Sequence, residues 1–310
     1  MSCYNPILAV DFGCNTFTGK TRTFEGKHWI KILGQPKDRY PIEAYRAKYG
    51  KALMMLPCGH CVACAQDYAR TWQARIMCEA MYHKDNCFLT LTYAKNPPKE
   101  PQKEHLRQFI KAVRNKFGSG IKFFGCGEKG ELSERSHYHI ILFGVKFDDA
   151  EAFQRRGYNT IKVSKDLANL WNFGFSSIGD LDVASAGYVS KYCDKKKISR
   201  LDSGEFIIMS RGLGRQYFQD HYQEIFSSDF LYFDGNKFKI PRYFKKLALN
   251  SDDFYLTCLV DDLSDRKRKV AQNFRYNHNR SCGLEYEGMK TLERLDLAAK
   301  KNKEVARDIF

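Results

Sequence analysis

Apolar residues along this chain recur with two different periods, and the switches between them mark out the elements. Tyr68, Trp72, Ile76 and Ala80 recur every four residues with charges between them, which predicts an amphipathic helix. Leu106, Phe109, Ile110, Val113 and Phe117 form the stripe of a second helix, closed by Gly118 and Gly120. Between the two, the Thr- and aromatic-rich run from Cys87 to Tyr93 (CFLTLTY) reads as a strand, ended by Asn96, Pro97 and Pro98. Ile121 to Gly127 reads as another strand. A turn through Lys129 and Gly130 then leads to His137–Val145 (HYHIILFGV), the most strand-like run in the chain. Leu167, Leu170 and Trp171 predict a short helix, and Val183 to Cys193 another.

The order strand, helix, strand, strand, helix, helix predicts an α+β fold, with an antiparallel central sheet and helices on one face. The first 57 residues carry short β-like runs and turn signals. Beyond about residue 200 the pattern predicts a β-rich extension followed by a charged helix from Lys290 onward. The expected division is a Cys-rich segment with a helix over residues 1–84, a core over 85–226 and an extension over 227–310 with no assigned role.

Charge narrows the partner. The 310 residues include 51 Lys and Arg against 36 Asp and Glu, a formal charge of +15. That excess favours a polyanion, because each cation set on a phosphate releases condensed counterions. A membrane partner is not expected. No stretch approaches the roughly 20 apolar residues that span a bilayer, and the N-terminus reaches Asp11 before an apolar signal run forms. Eleven cysteines, an odd number with three of them in CGHCVAC, suggest metal thiolates in a reducing cytoplasm and not a disulfide framework.

Two constellations carry chemistry. His137 and His139 flank Tyr138 on the best strand, so both imidazoles project from one face and can share a metal ion. A hairpin would bring Glu128 beside them. In isolation, a His-x-His pair on a solvated sheet face reads the same way. Tyr188 and Tyr192 lie four residues apart on a predicted helix, hence on one side of it, with Lys191 between them and Lys195 and Lys196 following. An ordinary amphipathic helix with core tyrosines has the same spacing. Cys58, Cys61 and Cys64 have the spacing of a zinc knuckle lacking one ligand. Ser210–Tyr217 (SRGLGRQY) reads either as a Gly-containing turn that holds phosphates with Arg211 and Arg215, or as a plain surface hairpin. Arg266–Lys269 reads as a solvated helix face.

Taken together and in this order, CFLTLTY, GEKGELSERSHYHIILFG and YVSKYCDKKK resemble the motifs of HUH endonucleases, which initiate rolling-circle replication. The likeness is greatest to the replication initiators of small single-stranded DNA phages, the microviruses of the gokushovirus type. MSCYNPI, PCGHCVAC and FIIMSRGLGRQYF look like that group as well, and the resemblance runs from Cys3 to about Tyr217.

The resemblance implies a ferredoxin- or RRM-like HUH core and a two-tyrosine nickase that cuts and rejoins single-stranded DNA at the replication origin through a phosphotyrosine intermediate. His137, His139 and Glu128 would hold Mg²⁺ or Mn²⁺. Tyr188 and Tyr192 would be the nucleophiles, and Lys191 a phosphate or phenolate partner. Lys195, Lys196, Arg211 and Arg215 would contact DNA. Cys3 is the first choice to complete a structural Zn²⁺ site, with His60 and Cys78 as alternatives. The host replication machinery would extend the freed end in the cytoplasm of the bacterial host. The rival readings are a zinc-containing nucleic-acid-binding protein without catalysis and an HUH protein of plasmid or transposon type.

Overall fold

The computed structural model describes residues 7–11, 30–34, 42–50, 53–59, 61–130, 135–156, 159–198, 204–251 and 253–282. At the N-terminal side, β1 (Ile7–Asp11), β2 (Ile30–Gly34), α1 (Ile42–Tyr49) and β3 (Leu53–Leu56) form a small unit whose antiparallel sheet has the order β2-β1-β3. The long helix α2 (Val62–Ala80) leads into the main sheet. That sheet comprises β4 (Asn86–Thr92), then, after α3 (Lys103–Phe117), β5 (Lys122–Lys129), β6 (Ser136–Phe143), β7 (Glu151–Arg156) and β8 (Asn159–Val163). After α4 (Lys165–Leu170) come β9 (Ser176–Asp180), α5 (Val183–Ile198) and β10 (Phe206–Met209). The strand order is β10-β5-β6-β4-β9-β8-β7, and every neighbouring pair is antiparallel.

The helices cover both faces of this sheet, which corrects the expectation of one covered face. Leu89, Leu91, Tyr138, Ile140 and Leu142 point to the side closed by Leu106, Phe109, Ile110 and Val113 of α3 and by Leu167 and Trp171. The alternate residues, Phe124, Cys126, Ile141 and Phe143, meet Ile76 of α2, Ala186 and Val189 of α5, and Leu213. The cause is legible in β6, which runs apolar from Ile140 to Phe143 without alternation. A strand of that kind is buried on both sides and needs cover on both. β7, β8 and β9 were not foreseen, because EAFQRR is charged and SSIGD is small and polar.

The region after residue 204 is mainly helical, not β-rich. It comprises α6 (Arg215–Ser227), a hairpin of β11 (Phe230–Phe233) and β12 (Asn236–Lys239), α7 (Arg242–Leu249) and α8 (Phe254–Cys282). The helical stripes here are short and rich in Phe and Tyr, which hides their period. Phe218, Phe226, Leu231, Phe238, Phe244, Val260 and Leu263 form a second core with Ala74 and Cys78 of α2. The basic run at Arg266 lies on α8, and Arg266 is tied to Asp262, Asp229 and the Phe226 carbonyl, so it is a helix face as expected. Residues from Lys290 onward lie outside the described residues.

Helix α2 therefore belongs to two cores, and a buried acid and base on it hold the second core against the sheet. Glu79 accepts from the Gly214 amide at 2.7 Å, and its other oxygen faces Lys122 Nζ at 2.8 Å and His83 Nε2 at 2.9 Å. Arg75 donates to the Leu213 carbonyl at 3.1 Å while its guanidinium lies between the rings of Trp72 and Tyr243. Gly214 has φ +75°, and a Cβ there would lie 3.2 Å from Cys78 Cβ and 3.3 Å from the Arg75 carbonyl. The turn of the SRGLGR motif is thus a docking point as well as a surface.

Burial alone would raise the Glu79 carboxyl, but Lys122, His83 and the Gly214 amide outweigh it and hold its pKa below the usual range. A carboxylate depressed on folding stabilises above its unfolded pKa, about 4.3, and loses that contribution as pH falls through the folded value. Thermal unfolding followed from pH 7 down to the acid range should therefore show a stability loss that Glu79→Gln lacks. At neutral pH, Glu79→Gln and Gly214→Ala should each cost about 1–3 kcal/mol, from a lost charge-assisted bond and from left-handed strain respectively.

Candidate metal and nucleophile site

The hairpin of β5 and β6 sets Glu128 directly opposite His137 and Cys126 opposite His139. Because alternate residues share a face, the carboxylate and both imidazoles project together. Glu128 Oε1 lies 2.5 Å from His137 Nε2 and 3.0 Å from His139 Nε2. Glu128 is only 2% exposed and His139 only 6%. The three ligand atoms lie within 4.8 Å of one another.

Neighbours set the orientation of each ring. His137 Nδ1 lies 3.1 Å from the Arg135 carbonyl, which can only accept, so the ring keeps its proton there and turns its Nε2 lone pair toward Glu128. His139 Nδ1 faces Thr90 Oγ1 at 3.1 Å, since β4 pairs Thr90 with His139. Phe88 stacks on His139, with centroids 5.4 Å apart and planes 14° from parallel. Burial pulls His139 down, and it stays below the usual histidine value despite Glu128. Burial also pulls on His137, but the Glu128 carboxylate and the Arg135 carbonyl outweigh it and raise its pKa. One carboxylate and two oriented imidazoles, set on neighbouring strands, fit a divalent ion that keeps open positions for water or phosphate oxygens. Thr90, Phe88 and the Arg135 carbonyl were missed from the sequence. The pairing of CFLTLTY with HYHIILF was the signal that pointed to the first two.

Helix α5 brings Tyr188 over this cluster. Ala186, Val189 and Ser190 are buried, and Gln73 of α2 donates to the Val183 carbonyl at 2.7 Å. A Cβ at Gly187 would lie 2.7 Å from Gln73 Nε2, so the helix approaches α2 closely where it carries the tyrosine. Tyr188 is left partly exposed. Its ring stands edge-on to His139 at 5.0 Å, and its hydroxyl donates to Glu128 Oε1 at 3.4 Å. Lys191 is exposed on the same helix. Tyr192 follows Tyr188 by one turn, with Lys195 and Lys196 beyond it. The side chains of these three lie outside the described residues.

The other expected residues fall in two places. Arg211 and Arg215 line a concavity of about 500 Å³ together with Lys122 and Lys246, and no acidic side chain lines it. The thiols of Cys58, Cys61 and Cys64 form a second cluster, their sulfurs within 4.8 Å of one another. Cys58 Sγ and Cys64 Sγ are 3.9 Å apart, close to the roughly 3.8 Å that separates two thiolates each about 2.3 Å from a tetrahedral zinc ion. The Cys61 amide donates to Cys58 Sγ at 3.3 Å, an arrangement that favours the thiolate. Cys78 does not join them. It is packed in the second core, and fourteen residues of helix put it about 21 Å from Cys64. Cys3 and His60 lie outside the described residues. Ile7, where β1 begins, packs on the thiol cluster.

An antiparallel α+β sheet with a Glu–His–His cluster beneath a helical tyrosine defines the class of site. Similarity to known proteins then supplies the family. The family of the replication-associated protein ORF2 matches residues 86–197, the stretch from β4 through most of α5. Replication-associated protein ORF2 of Spiroplasma virus 4 is 33% identical over 243 residues, covering 70% of this chain and 74% of that protein. Replication-associated protein ORF4 of Chlamydia phage 1 is 30% identical over 211 residues, 62% of this chain and 53% of that protein. Replication-associated protein VP4 of Bdellovibrio phage phiMH2K is 26% identical over 224 residues, 63% of this chain and 67% of that protein. The chain belongs to this family of replication-associated proteins of microvirus-like phages. No solved structure matches it.

The thiol geometry yields a prediction independent of any activity. Elemental analysis of the purified chain should find about one zinc per molecule. Cys61→Ser should lower the zinc content and the yield of soluble protein together, since zinc-binding energy is folding energy at a structural site. A zinc-free Cys61→Ser protein of unchanged stability would contradict this.

Proposed function

We propose that the protein initiates rolling-circle replication of a small single-stranded DNA phage by nicking and rejoining single-stranded DNA at the replication origin, as an endonuclease of the HUH type. The observation that carries the reading is Tyr188, whose hydroxyl lies 3.4 Å from Glu128 Oε1 and whose ring borders His139, so a nucleophile and a candidate metal site share one opening. The relatives' names, all replication-associated proteins of phages, support the setting.

Glu128, His137 and His139 would hold Mg²⁺ or Mn²⁺, which polarises a phosphate and offsets its developing charge. The Tyr188 oxygen bonds to phosphorus as the bond to the 3′ oxygen breaks. The phenol releases its proton to water and the 3′ oxygen takes one up, leaving a 5′-phosphotyrosine and a free 3′-hydroxyl. The phosphodiester energy is retained, so the reverse step seals a circle without a nucleotide cofactor. Tyr192, one turn along α5, makes the second attack while Tyr188 is occupied, and Lys191 partners a phosphate or phenolate. Arg211 and Arg215 in their cationic concavity, with Lys195 and Lys196 at the end of α5, hold the DNA backbone.

The thiol cluster takes Zn²⁺ with Cys3 as fourth ligand and ties the N-terminal strands to α2. The protein works in the cytoplasm of the bacterial host, where the host polymerase extends the 3′ end. Among the described residues, no helix is long and apolar enough to cross a membrane. A binding protein without catalysis would give no reason for a buried carboxylate faced by two imidazoles and a phenol.

The test is cleavage of a labelled single-stranded origin oligonucleotide. EDTA should abolish nicking, and Mg²⁺ or Mn²⁺ should restore it. His139→Ala should lower cleavage by about a hundredfold or more while DNA binding persists, because affinity rests on basic contacts. Tyr188→Phe or Tyr192→Phe alone should impair the joining step that releases a circle, and the double variant should form no covalent adduct. An adduct that survives the double substitution, or full nicking in chelator, would overturn the reading.

A further inference from the structure

Next to the Glu–His–His cluster the sheet carries an exposed aromatic pair that none of the steps above uses. Phe175 immediately precedes β9, and its carbonyl accepts from the Thr92 amide at 2.8 Å and from the Thr92 hydroxyl at 3.1 Å. Thr92 stands opposite His137, which stands opposite Glu128. Phe175, Thr92, His137 and Glu128 thus form one row across four adjacent strands. The alternation of β9 puts Phe175 on the side of Gly179, where an added Cβ would lie 3.5 Å from Phe88, the ring stacked on His139. With neighbouring strands about 4.8 Å apart, the Phe175 backbone stands about 10 Å from that of His137, on the same face of the sheet.

Phe153 of β7 completes the pair, its ring centroid 5.6 Å from that of Phe175 and its plane tilted by 51°. It occupies the irregularity between Ala152 and Gln154, where an extra residue leaves the ladder and is re-aimed. The two rings are 61% and 48% exposed. Single exposed aromatics are ordinary on a protein surface, but two side by side, in line with a buried polar cluster, mark a contact site.

We propose that Phe153 and Phe175 are a stacking platform for unpaired nucleobases flanking the phosphate at Glu128, His137 and His139. The inference rests on the proposed function above and extends it to substrate selection. Every base offers a π-face whatever its identity, so stacking holds a strand without reading its sequence. Duplex bases are already stacked on one another and cannot use the rings, so the platform favours single strands. Exposed Arg155, two residues beyond Phe153, adds a cation for the backbone. The alternative occupant, a second copy of this chain paired along the β7 edge, is disfavoured by the irregularity and by the charges of Glu151 and Arg155 on that strand.

The test uses the full chain in EDTA, where no cleavage occurs, and fluorescence anisotropy on single-stranded and duplex oligonucleotides of one sequence. Single strands with one abasic site at successive positions locate the stacked bases. Combining Phe153→Ala with Phe175→Ala should weaken single-strand binding roughly ten- to a hundredfold and leave duplex binding within about twofold, with Phe175→Trp retaining affinity. The abasic penalty beside the cut should vanish in the double variant. An equal loss on both substrates, no loss on either, or unchanged single-strand affinity with a dimer turned to monomer would overturn the proposal. Failure here with normal nicking removes only the platform. The expected binding pattern without any covalent adduct removes only the nickase.

Discussion

A carboxylate kept from water is costly unless charge or hydrogen bonds meet it on every open side. Glu128, on a central strand, is in that position, and its companions are two imidazoles and a phenol drawn from β6 and α5. The arrangement exists only in one register of the β5–β6 pair. A slip of one residue would turn Glu128 away from His137 and His139 and would move Ile141 and Phe143 from one core to the other. Register, burial and the candidate chemistry are therefore a single constraint. The paired strand β4 adds Thr90 and Phe88 to the same histidine, so the cluster is held from both of its neighbours.

The second element of the structure is α2, which is buried on nearly all sides. It packs Ile76 on the sheet, Ala74 and Cys78 on the C-terminal core, and Gln73 on α5. Arg75 and Glu79 would be liabilities in such a helix, and both are satisfied by the turn at Leu213 and Gly214. Because α2 bears on α5, which carries Tyr188, the C-terminal helices are coupled through it to the helix above the cluster. The thiol cluster stands at the N-terminal end of the same helix, so α2 joins both sets of candidate metal ligands within one rigid element.

Much of the core was legible in the sequence. β4, α3, β5, β6 and the helix bearing the two tyrosines lie within a few residues of where periodicity put them, because each has a long run with one period. The grouping of Glu128 with His137 and His139 followed from strand alternation and a hairpin. Three things were not legible. The cover on both faces needed β6 to be read as fully buried and not as one-sided. The edge strands β7 to β9 lack an apolar run, so only pairing reveals them, and with them the row that ends in Phe175. The SRGLGR turn looked like a phosphate loop or a hairpin, and nothing local shows that Gly214 and Leu213 bond to side chains more than 130 residues away.

The central claim is that Glu128, His137 and His139 ligate one divalent ion. Electron spin-echo spectroscopy of the chain loaded with Mn²⁺ reads this directly, through nitrogen-14 couplings from imidazoles bound to the ion. The account predicts modulation from two histidine nitrogens, reduced to one in His137→Ala or His139→Ala and lost in the double variant. Mn²⁺ that shows only water, or a two-nitrogen signal unchanged by those substitutions, would contradict it.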